Sequence, residues 1–145
     1  MDKMVEMTRK LEFDAGHRIP DHGSKCRNLH GHRYVLEVTL QGYVNHVPGQ
    51  EDTGMIIDFG ALKTIMNQMV CDVWDHAFLV YEHDHAVRMF LETMPEHKTV
   101  VLDRVPTAEN LAQIAFDTLF TQFGQTLFHV RLYETPNCWA DIYRD

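Results

Sequence analysis

The chain is 145 residues long, 45% apolar and 23% charged, with a formal charge of −8. It reads as one domain, residues 1–145, long enough to bury a core and of ordinary globular composition, neither disordered nor collagen-like. The acidic balance opposes binding to nucleic acid, whose backbone is gripped by Lys and Arg, and no apolar run nears the roughly 18 residues of a membrane-spanning helix.

The N-terminal MDKMVEMTRK mixes charge with Met and lacks the apolar stretch of a signal peptide, so a cytoplasmic protein is expected. Met7, Leu11, Phe13, Ala15 and His17 alternate with Glu6, Thr8, Lys10, Glu12 and Asp14, the pattern of a half-buried strand with His17 at its end on the apolar side. PDHGSK is turn chemistry. CRNLHGH then places a thiol and two imidazoles within seven residues. Tyr34, Leu36, Val38 and Leu40 alternate with Arg33, Glu37, Thr39 and Gln41 in a second strand, and His30 and His32 share its apolar parity. Two strands joined by a loop are most simply antiparallel neighbours, which would bring His17, His30 and His32 to one end of a sheet.

NHVPGQEDTG reads as a loop. Asp58 suits a helix N-cap, and Ala61, Leu62, Ile65, Met66, Met69, Val70, Val73 and Trp74 trace a 3.6-residue stripe after it. A shorter helix is expected around Asp84 to Met94, closed by Pro95, and a short extended piece at Val100 to Leu102. Thr107 caps a long helix through Phe123, with Gly124 as its stop. Leu127 to Glu134 and Cys138 to Tyr143 read as strands around the turn TPN, with Glu134 in the parity of Phe128, Val130 and Leu132. The order ββ, helices, ββ predicts an α+β domain with helices on one face of an antiparallel sheet.

Side chains two apart in a strand project to one face, so His30 and His32 could grip one ion from one side while His17 arrives from the neighbouring strand. Three neutral imidazoles suit zinc and leave its fourth position open. Histidines that merely cap the sheet are the plain alternative. A closed structural site with Cys26 as fourth ligand is a second, although C-x3-H-x-H does not match the spacing of zinc fingers. The H-x-H of barrel hydrolases is a third, but those barrels need about 250 residues.

Three cysteines, an odd number, favour reduced thiols. Cys26 lies beside Lys25 and Arg27, which favour a thiolate able to take a proton from carbon, whereas Cys71 and Cys138 read as packing residues. The adjacent pair Asp75 and His76 suits a proton relay. Glu134, ending an apolar strand face, is either solvated or held for a ligand with paired N–H donors. His83, His85, His97 and His129 read mostly as surface or packing residues. Arg18, Lys25, Arg27 and Arg33 against Asp21 give a local net charge of +3, a candidate anion-attracting patch.

FDAGHRI, KCRNLHGHRYVLEV, GMIIDFGALK, WDHAFL, PTAENLA and YETPNCWADIYR, in that order, resemble the family of 6-pyruvoyl- and 6-carboxy-tetrahydropterin synthases over most of the chain. The resemblance implies His17, His30 and His32 as zinc ligands, Cys26 as the catalytic thiol, Asp75 and His76 as the relay, and Glu134 as a catalytic residue that anchors the pterin. The three-residue gap from Cys26 to His30 looks like the bacterial 6-carboxy-tetrahydropterin synthases of queuosine and 7-deazaguanine synthesis. That type of enzyme is a carbon–carbon lyase. It converts 7,8-dihydroneopterin triphosphate to 6-carboxy-5,6,7,8-tetrahydropterin, acetaldehyde and triphosphate, the bound metal acidifying a C–H bond beside the substrate oxygens it holds, and Cys26 taking the proton. The sibling implied alternatives are a pyruvoyl synthase and an aldolase-like cleavage, and the distant one is a non-catalytic zinc or pterin-binding module. The sequence departs from the family pattern in Trp74 before Asp75 and in a longer segment from Tyr81 to Arg104. The implied architecture is the tunnelling fold, in which sheets close into a barrel and two trimers stack into a homohexamer with active sites between subunits. The implied partner is a small pterin triphosphate, with neither nucleic acid nor membrane.

Overall fold

The computed structural model describes residues 2–145. Strict alternation builds its centre, where β1 (Val5–His17) and β2 (His30–Gly42) pair antiparallel from Val5 opposite Gly42 to His17 opposite His30. β2 pairs antiparallel with β5 (Leu127–Thr135), and β5 with β6 (Cys138–Tyr143), as the alternating segments predict. The other flank of β1 carries two further strands. β3 (Ala77–Tyr81) runs parallel to β1 at Ala15 and Gly16, and β4 (Thr99–Leu102), the short extended piece, runs parallel to β3. The sheet is therefore mixed, in the order β4-β3-β1-β2-β5-β6, and its antiparallel part is the expected four strands.

The expected first helix is one stripe with a change of pitch. α1 (Phe59–Met66) is capped by the Asp58 carboxylate, which accepts from the Ala61 amide at 3.1 Å. It passes through a π-helical turn at Asn67–Cys71 into α2 (Asp72–Trp74), burying Leu62, Met66, Val70 and Trp74. α4 (Ala108–Phe123) starts where Thr107 Oγ1 accepts from the Asn110 amide at 3.1 Å and stops at Gly124, whose φ of 54° suits a residue without a side chain. Each such cap is worth about 1 kcal/mol. These helices share one core with the sheet, built around Phe13, Tyr34, Leu36, Leu111 and Leu132.

α3 (His85–Glu92) departs from the one-face expectation. It packs Val87 and Leu91 against Val80 of β3, whereas the adjacent Leu79 belongs to the main core. Neighbouring residues of a strand point to opposite faces, so α3 covers the far side of β3. Phe128 also differs from its expected parity. The β2–β5 register shifts at Thr39/Leu40, so Leu127, not Phe128, opposes Leu40 and is buried.

Candidate metal centre

The register of β1 and β2 sets His17 directly opposite His30 and Ala15 opposite His32. Three imidazoles consequently meet at the end of the ladder, their ligand atoms all within 4.8 Å of one another. Two backbone carbonyls fix their chemistry. His17 Nδ1 is 2.7 Å from the Pro106 oxygen and His30 Nδ1 is 2.7 Å from the Asn28 oxygen. A carbonyl only accepts, so each Nδ1 carries the proton and donates it, and each neutral ring turns an Nε2 lone pair inward. The two Nε2 atoms are 3.1 Å apart. Lone pairs at that distance repel unless a shared proton or a metal cation sits between them. Two zinc–nitrogen bonds of about 2.0–2.1 Å at a tetrahedral angle would separate their nitrogens by about 3.3 Å, so the donor set fits this metal.

His32 completes the set. Its Nε2 is buried without a hydrogen-bond partner, although Glu134 Oε1 lies 3.1 Å away in a direction unsuited to a hydrogen bond. Burial lowers the pKa of both His17 and His32, while the Glu134 charge pulls the other way. The net shift favours the neutral imidazole, the form that can bind a metal. Cys26 is not among the three residues that converge, which disfavours a closed four-ligand structural site.

Glu134 reaches His32 through an irregularity in the backbone. The β5–β6 pairing shifts between Tyr133 and Thr135, leaving Glu134 at a bulge, a device that re-aims a side chain. Histidines and carboxylate thus belong to one and the same protomer. Cys26 rides on a 3₁₀ turn, Lys25–Arg27, whose Cys26 oxygen accepts from the Ile19 amide at 2.8 Å, folding the loop onto the end of β1. The basic patch is smaller than its composition suggests. Arg18 is held by Asp84 in two contacts of 2.7 and 2.5 Å, and Arg33 by Glu12 and Asp14 at 3.0 and 2.9 Å. Lys25 and Arg27 stand outside these ion pairs.

An open cleft of about 470 Å³ adjoins the centre, lined by Gly16, Gly31, His32, His76, Phe78 and His97. Gly31 permits the close approach of its strand, since a Cβ there would lie 3.0 Å from the Ala15 oxygen. His76 faces the cleft with its side chain 77% exposed, and its Nδ1 is 3.0 Å from Asp75 Oδ2. The other Asp75 oxygen accepts from the Asp14 amide at 2.9 Å, and this backbone donor, followed by His76, holds the Asp75 carboxyl below its ordinary pKa. The structure thus brings His32 and His76 to one cleft and Glu134 to His32. Sequence reasoning missed His97 as a lining residue, and it missed Pro106, Asn28 and Asp14, which act through backbone atoms that no side-chain motif announces.

Residues 6–145 match the family model described as 6-pyruvoyl tetrahydropterin synthase. A relative from Rickettsia bellii called 6-carboxy-5,6,7,8-tetrahydropterin synthase is 36% identical, over 96% of this chain and 100% of its own. One from Dictyostelium discoideum called 6-pyruvoyl tetrahydrobiopterin synthase is 34% identical, over 99% and 98%. The solved structure of the Caenorhabditis elegans 6-pyruvoyl tetrahydropterin synthase superposes with a TM-score of 0.70 at 29% identity, covering 99% of this chain and 97% of that one. Sheet order, histidine cluster and full-length similarity converge, and the chain belongs to the 6-pyruvoyl tetrahydropterin synthase family.

Proposed function

We propose that the protein is a zinc-dependent 6-carboxy-5,6,7,8-tetrahydropterin synthase of queuosine and 7-deazaguanine synthesis, acting on 7,8-dihydroneopterin triphosphate. The observation that carries this reading is the set of three inward-facing imidazole nitrogens in a protein that matches a 6-carboxy-tetrahydropterin synthase along that relative's whole length. Zinc held by His17, His30 and His32 would supply Lewis acidity toward the substrate's side-chain oxygens and so acidify the neighbouring C–H. Cys26 takes that proton as its thiolate. His76, its Nδ1 fixed by Asp75, moves protons at its Nε2 on the cleft side. Glu134 accepts the pair of N–H donors that a pterin ring presents. Lys25 and Arg27 draw in the triphosphate, Arg18 and Arg33 being committed to carboxylates.

Residues 1–145 act as one domain of a cytoplasmic homohexamer. Two sheet edges support that assembly: β6, and the stretch of β1 before Ala15, where β3 has not yet joined. Such edges invite pairing with further copies, which would also cover the exposed His76. No helix among the described residues is long and apolar enough to cross a membrane.

The Dictyostelium relative's name favours a second reading, a 6-pyruvoyl synthase. The test is incubation of the purified protein with 7,8-dihydroneopterin triphosphate, with and without prior chelation, and mass analysis of the products. Carboxy-pterin and acetaldehyde that appear only with metal support the first reading. A pyruvoyl product establishes the second, and substrate bound but unchanged overturns both.

A further inference from the structure

His76 is the one non-glycine residue with positive φ among those described, at 59°. Side chains disfavour that left-handed region, so surrounding contacts must impose it. The peptide joining Asp75 to His76 is pinned at both ends. Its N–H donates to the Asp14 oxygen at 2.6 Å. Its carbonyl accepts from Lys98 Nζ, also at 2.6 Å. The same ammonium donates to the Asp72 oxygen at 2.6 Å, so one cation gathers two free carbonyls at the end of α2, where the helix dipole is negative. Lys98 is itself fixed by its backbone, because its oxygen accepts from the Phe78 amide at 3.0 Å across the β3–β4 edge. It lies in the connection between α3 and β4, immediately before Thr99.

We infer that Lys98 is a positioning residue: by clamping the Asp72 and Asp75 carbonyls it holds the Asp75–His76 peptide plane and so sets the direction of the exposed His76 imidazole. The inference rests on the proposed relay role of His76 for its catalytic consequence, but not for its structural one. Lys98 is exposed and its stem can be kept, so Lys98→Met removes the two donors without opening the core.

Two readouts separate the possible failures. In ¹H–¹⁵N spectra of the zinc-loaded protein, Lys98→Met is expected to move the His76 amide and imidazole resonances and leave those of His30 and His32 in place, while Lys98→Arg keeps the His76 signals near their original positions. Unmoved His76 signals in Lys98→Met overturn the inference whatever the activity. In steady-state assays with 7,8-dihydroneopterin triphosphate, Lys98→Met should lower kcat about tenfold with KM within about twofold, the scale of a displaced catalytic group. The same change made in a His76→Gln background should lower kcat no further, since residues acting through one another are not additive. An equal drop in both backgrounds shows that Lys98 acts by another route and overturns the inference. A His76→Gln protein with unaltered kcat overturns the relay reading instead, and leaves the spectra to decide the clamp.

Discussion

β1 and β2 share thirteen consecutive pairs, whereas β3 touches β1 at two. The candidate site straddles these unequal halves. On the ladder side, His17, His30 and His32 occupy positions dictated by register, and a one-residue slip of β2 would turn His30 and His32 to the face away from His17. On the β3 side, His76 keeps an unfavourable backbone conformation through point contacts from Asp14, Asp75 and Lys98. The lesson is a division of labour: the long ladder fixes a binding constellation, while the short parallel edge holds an exposed group whose direction a few hydrogen bonds decide.

The largest expected effect tests whether chemistry belongs to the ladder side at all. Cys26→Ala should keep zinc content and fold while kcat falls by about 10²–10⁴-fold, the usual worth of a general base. Turnover at the original rate would remove the thiol from the mechanism. On the other side, Asp75→Asn exchanges an acceptor-only group for an amide next to His76, and should cost about 10²-fold in kcat with zinc retained. Loss of zinc from that variant would show that the halves are not independent.

The two apolar clusters offer a comparison of stability. Leu36→Ala, in the main core beneath the ladder, should cost about 2–5 kcal/mol, and Leu91→Ala, in the small cluster of α3, about 2 kcal/mol at the low end of that range. Urea unfolding checks both, and equal losses would contradict the view of β3 and α3 as the lighter flank.

Legibility in the sequence follows the same division. Alternation around Phe13 and Leu36 reveals β1 and β2, and it places three histidines on one face because strand geometry has period two. AFLVY shows no alternation, since Leu79 and Val80 are buried on opposite faces, and a short apolar run of that kind does not declare its structure. β3 is therefore not legible in the sequence, and with it go the parallel edge, the far-side packing of α3 and the place of Lys98. Asp75 and His76 stand out as a pair, but the left-handed turn between them depends on Asp14 and Lys98, distant in sequence. Glu134 is found by parity, while its aim at His32 comes from a bulge.

The smallest expected effect concerns pH. His17 and His32 are lowered from 6.5 chiefly by burial, so between their folded values and 6.5 the unfolded protein binds more protons than the folded one. Stability of the metal-free protein should accordingly rise with pH through that window and level off above it, and be lost as pH falls through the folded values. His32→Gln should flatten the rise in urea midpoints measured from about pH 5 to about pH 7.5. A slope unchanged by that substitution would assign the pH dependence to other groups.

Whether the three strand-borne histidines hold one zinc is read by elemental analysis of the purified protein. About one zinc per subunit is expected in the unaltered protein, and little in His17→Ala, His30→Ala or His32→Ala, as three ligands in an open site imply. Full zinc retained after loss of any of these imidazoles, or undiminished turnover in a fully chelated protein, would contradict it.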